Sequence, residues 1–92
     1  MTSLTEFRTI TTDTLNLVTQ GDQAGAANRA TDLETAWDDN QEALLAADCR
    51  TWTFIDIQID PVLSSVRASN PDPTTEQETL HALLATLDGA QS

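Results

Sequence analysis

The chain has 92 residues, 39% hydrophobic and 21% charged, and its 15 acids against four arginines and no lysine give a formal net charge of -11. That length holds one domain, residues 1–92, burying about 60 to 65% of the surface its unfolded form exposes, and the composition is that of a globular domain and not of a disordered tail. The acidity excludes sequence-independent binding to nucleic acid or anionic membranes, which needs basic residues, and leaves a basic protein, a cation, or a surface shaped only by solubility or salt adaptation.

No apolar run approaches the roughly 20 residues of a membrane span. The N-terminus MTSLTEFRTI has neither a basic nor an apolar region of the export type, so the cytoplasm is the expected location, although a signal already removed leaves no trace.

In chain order, SLTE opens the first helix, with Ser3 as cap and Glu6 as the fourth member of a capping box. Leu4, Phe7, Ile10 or Thr11, Thr14 or Leu15, and Val18 recur at three- and four-residue steps, predicting a helix over about 4–20 that stops at Gly21. Its threonines give it a weak intrinsic propensity, so packing must hold it. Asp22 caps a second helix over about 23–46, with Ala26, Ala30, Leu33, Trp37, Asn40 and Leu44 on one face.

Asp48 caps the third helix, about 49–68, striped by Trp52, Ile55, Ile59, Val62 or Leu63, and Val66. Within it FIDIQID alternates strictly and reads alone as a strand, yet the chain holds no second strand to pair with it. A helix is therefore expected, with a kink near Pro61 or a break where Asp60 caps a new turn. After the linker SNPD, Asp72 and Pro73 start a last helix over about 73–88, striped by Leu80, Leu83, Leu84 and Leu87 and ended by Gly89. Four segments on short connections predict an all-α fold, an antiparallel up-down-up-down four-helix bundle.

Chemistry-bearing patterns are sparse. One Cys and one His build neither a disulfide nor an ordinary zinc site. His81 has no nucleophile nearby in sequence, and Cys49, although Arg50 beside it favours a thiolate, has no assignable base. No catalytic residue and no cofactor is expected, and no small-molecule substrate is identifiable.

The acidic row on the second helix is the expected contact surface: Glu34, Asp38 and Glu42 at four-residue steps, with Asp39 beside them. Like charges at that spacing repel unless a cation or a basic partner answers them. Arg29 and Asp56 both lie near the inner faces of their helices, so they form the expected polar pair between helices two and three. Trp37 and Trp52 fall on apolar stripes and are expected core anchors that meet across the same two helices.

The stretch RATDLETAWDD, followed by a tryptophan-led amphipathic helix and a Pro-Asp linker, is similar to small helical-bundle domains of uncharacterised bacterial proteins. The resemblance spans roughly 22–88 and implies the fold but no activity. Secreted tryptophan-x-glycine hairpins match in length and helical content, but here Trp37 is followed by Asp38 and Asp39, and four segments replace two.

The function expected is a non-catalytic acidic interaction module that binds a basic protein or associates with itself. The alternative is an accessory divalent-cation binder using the carboxylate row.

Overall fold

In the computed structural model, which describes residues 4–91, the ambiguous run FIDIQID is helical. Helical spacing buries Ile55 and Ile59 together, whereas strand spacing would have turned Ile57 inward with them; Ile57 stays 63% exposed. The described residues form five helices and no strand: α1 (Thr5–Thr19), α2 (Gln23–Asp39), α3 (Gln41–Ala47), α4 (Cys49–Val66) and α5 (Pro73–Gln91).

The capping signals that lie close together in sequence produce the expected starts and stops. Gly21 takes φ 80°, a left-handed conformation that ends α1 without a Cβ penalty. The Asp22 carboxylate accepts the Gly25 N–H at 2.8 Å and starts α2, and Asp48 accepts the Thr51 N–H at 3.1 Å and starts α4. Asp72 accepts from the Thr74 N–H at 3.1 Å at the head of α5. Ser3, the expected cap of the first helix, lies outside the described residues; Leu4 occupies the cap position with no side-chain hydrogen bond.

Three boundaries differ from expectation. The helix expected over 23–46 is interrupted at Asn40, whose side chain donates to the Ala36 carbonyl at 2.8 Å and so competes with the helical ladder. The segment beyond it, α3, is a separate short helix that buries Leu44. α4 continues unbroken through Pro61 to Val66, short of the expected 68, so Asp60 caps no new turn. Pro61 is exposed, on the side of α4 where a carbonyl released from the ladder can open to solvent. α5 runs through Gly89 to Gln91 instead of stopping at 88.

α1 packs against α2 and α5, α4 packs against α5, α2 and α3, and α2 also touches α3. Ala26 and Ala30 are fully buried, and their small side chains let a neighbouring helix approach closely. Leu33, Trp37, Leu44, Ile55, Ile59, Val62, Val66, Leu80, Leu83 and Leu87 complete the core with Leu4, Phe7, Ile10 and Val18. Thr11 and Thr14 are fully buried too. Each hydroxyl donates to the carbonyl four residues earlier, Phe7 at 2.7 Å and Ile10 at 2.8 Å, so burial leaves no polar atom orphaned there.

Candidate functional site

Of the carboxylate row, Glu34, Asp38 and Asp39 lie on α2 and Glu42 on α3. Glu34 is half-buried and accepts from Arg67, Nη2 to Oε1 at 2.8 Å and Nη1 to Oε2 at 3.4 Å. The guanidinium holds the Glu34 carboxyl below its ordinary range, and the carboxylate in turn raises Arg67. Asp38, Asp39 and Glu42 are exposed, and the interruption at Asn40 takes Glu42 off the helix that carries the other two. Among the described residues no three His, Cys, Asp or Glu side chains are placed to hold a metal ion together.

Arg29 and Asp56 have partners other than each other. Arg29 donates to Asp13 on α1 at 3.0 Å and to Asp32 one turn along α2 at 3.1 Å, and the Asp32 bond is the larger cause of its raised pKa. Asp56 instead accepts the indole N–H of Trp37 at 3.1 Å. Both are structural roles: one ties α2 to α1, the other satisfies the donor of a buried tryptophan.

Around that tryptophan the aromatics gather as expected. Trp37 is 2% exposed and stacks on Trp52, with centroids 5.8 Å apart and planes at 11°. Phe7 meets Trp37 edge to face at 5.1 Å and 81°. Buried and with one face stacked on Trp52, Trp37 offers no platform to a ligand. His81 and Cys49 are both exposed.

Two features went unread in the sequence. The first is Glu76, fully buried and held by one hydrogen bond from the Gln23 amide at 2.9 Å. Its Oε2 and the Gln23 Oε1 have no hydrogen-bond partner among the described residues. The spacing of 76, 80, 83 and 87 continues the leucine stripe of α5 back to this glutamate, and that was the available signal.

The second is an apolar seam between α4 and α5. Phe54 and Ile57 are 57% and 63% exposed, the exposed large hydrophobics of the described residues. They lie three apart on α4 and therefore on one face. Two adjoining depressions run along this face. Ile57, Gln58 and Pro61 line one with Glu78, Thr79 and Ala82; Arg50, Thr51 and Phe54 line the other with Thr86, Gly89 and Ala90. Small side chains on α5 thus form the floor beside large ones on α4. FIDIQID carried the signal: an alternating apolar run wound into a helix must leave some of its apolar residues outside.

Comparison with protein-family models, with curated proteins and with solved structures finds no match to this chain.

Proposed function

We propose that this protein is a non-catalytic interaction module, an acidic helical domain that binds a protein surface, either a basic partner or a further copy of itself. Its arrangement is an antiparallel four-helix bundle of α1, α2, α4 and α5, with α3 as a short addition at the turn between α2 and α4. Supporting the bundle are the neighbour pairs α1 with α2, α2 with α4, α4 with α5 and α5 with α1. A cross-section of 22 × 18 Å agrees, since two helices laid side by side measure about 20 Å.

The observation that carries the function is the exposure of Phe54 and Ile57 side by side above the α4–α5 seam. Two large apolar side chains in water gain free energy when a partner covers them, and an exposed apolar patch rimmed by polar groups marks an interaction surface. The row of Glu34, Asp38, Asp39 and Glu42 is the weaker surface, because Arg67 already neutralises Glu34 and the others are solvated. Nothing favours the cation-binding alternative, for the carboxylates do not converge.

The test is affinity capture and cross-linking in the source cells with the native chain and with the Phe54→Glu, Ile57→Glu double variant. Circular dichroism first verifies that the variant keeps its helices. Associates held by the native chain and lost from the variant support the seam. An unchanged set of associates overturns it, and no associate of either chain overturns the interaction role.

A further inference from the structure

We infer that the occupant of the α4–α5 seam is a second copy of this chain, docked through a two-fold axis that crosses the seam at the level of Ile55 and Asp56. The inference rests on the interaction role proposed above and names its partner. It starts from the order of residues along the face. As α4 runs from Arg50 to Pro61, the facing positions of α5 fall from Ala90 to Glu78, so both helices contribute to one continuous strip about 16 Å long. Phe54 and Ile57 straddle its middle. Arg50 stands at one end, and Asp60 and Glu78 at the other, all exposed.

A strip with an apolar centre, a cation at one end and acids at the other is complementary to itself turned end for end. The two-fold operation lays α4 antiparallel on α4 of the second copy. Phe54 then faces Ile57 of the second copy, Ala82 faces Thr86 of the second copy, and Arg50 reaches the level of Asp60 of the second copy. Each contact occurs twice. Arg50 is free for this role: the other three arginines pair with Asp88, Asp13 and Asp32, and Glu34, whereas Arg50 pairs with no carboxylate among the described residues.

The size of the strip sets the strength. About 16 by 20 Å on each copy is well below the roughly 1,200 Å² total of a standard interface, so the expected dimer is weak and transient. Charge sets the salt dependence. Two copies at -11 each repel at long range, so salt screens the repulsion and strengthens the dimer. A basic partner docked on the same acidic molecule would do the reverse and weaken with salt.

Sedimentation velocity of the native chain between about 10 μM and about 1 mM, at low and high salt, is the experiment. A monomer–dimer equilibrium that shifts toward dimer with salt is expected. Phe54→Glu weakens it at least about tenfold, and Arg50→Glu weakens it by a smaller factor. The double variant Arg50→Glu, Asp60→Arg, which swaps the two ends on both copies, restores association toward the native value and so reports the register and not merely folding. A monomer at all concentrations overturns the inference, as does a dimer that salt dissociates or that persists in Phe54→Glu. If the chain is monomeric while capture of a different protein still depends on Phe54 and Ile57, the second copy is wrong and the interaction role stands.

Discussion

A buried carboxylate that accepts one hydrogen bond still has lone pairs to satisfy, and at Glu76 the amide that donates to it leaves its own oxygen unpartnered as well. Glutamine at 76 would accept from Gln23 with its oxygen and donate to Gln23 with its nitrogen, closing a reciprocal amide pair and removing a buried acid. Glu76→Gln is expected to stabilise the fold by about 1 to 3 kcal/mol, read as a raised midpoint in urea with an unchanged m-value. A lowered midpoint would mean that the acid makes a contact essential to the fold. The leucine stripe of α5 extends back to Glu76 but the position went unread, and its partner on α2 carried no signal, because Gln23 and Glu76 are 53 residues apart and only helix register brings them together. The same reason separates Arg29 from Asp56. Sequence spacing put each near an inner face, and the rotation of α2 then turned Arg29 toward Asp13 of α1.

Helix starts, and the stop at Gly21, were the most legible features, since a cap needs only residues within one turn of one another, whereas the stops expected at 46, 68 and Gly89 lie elsewhere. Asp22, Asp48 and Gly21 act where their neighbours placed them. Asn40 looked like one more member of an apolar stripe, yet its amide finds the Ala36 carbonyl and ends α2; a polar side chain's choice between ladder and self-capping is decided by packing of the chain on either side. The two surface glycines differ in the same manner. Gly21→Ala is expected to destabilise by about 1 kcal/mol, because φ 80° strains an alanine. Gly89→Ala sits in a helix with nothing within 4 Å of the new methyl and is expected to stabilise by up to about 1 kcal/mol. Thermal melts of the two variants should move in opposite directions.

Between elements, the Arg67–Glu34 pair joins the end of α4 to α2. Glu34 titrates below its ordinary value in the folded state because Arg67 donates to it, so its contribution is fully present above the unfolded pKa of about 4.3 and is lost as pH falls through the lower folded value. The stability difference between the native chain and Arg67→Ala should therefore shrink as pH drops below about 4. A difference that stays constant in acid would assign the effect of Arg67 to its packing. Both side chains are about two-fifths exposed, which keeps the effect small.

At the scale of the whole molecule, a formal charge of -11 on an object 37 × 22 × 18 Å is a standing repulsion, and three of the four arginines are spent tying helices to their neighbours. Moderate salt should accordingly raise the melting temperature, since it screens the many like-charge pairs more than the few opposite ones. A flat response would show that the acids are too far apart to matter. The all-α class and the core stripes were visible from the periodicity of 3.6. That Phe54 and Ile57 stay exposed was not, because a sequence pattern shows which residues are apolar but not which apolar face runs out of partners within its own chain.

The seam between α1 and α5 bears on kinetics. Arg8 and Asp88 meet across 80 positions of chain, whereas α4 and α5 are joined by a short linker. Closing the longer loop costs more entropy before any contact rewards it, and α1, rich in threonine, brings little intrinsic helicity to an early encounter. Docking of α1 onto α5 is therefore expected late on the route to the native state, a prediction for kinetics to test. Replacing Arg8 with alanine should speed unfolding and leave the folding limb of the chevron nearly unmoved.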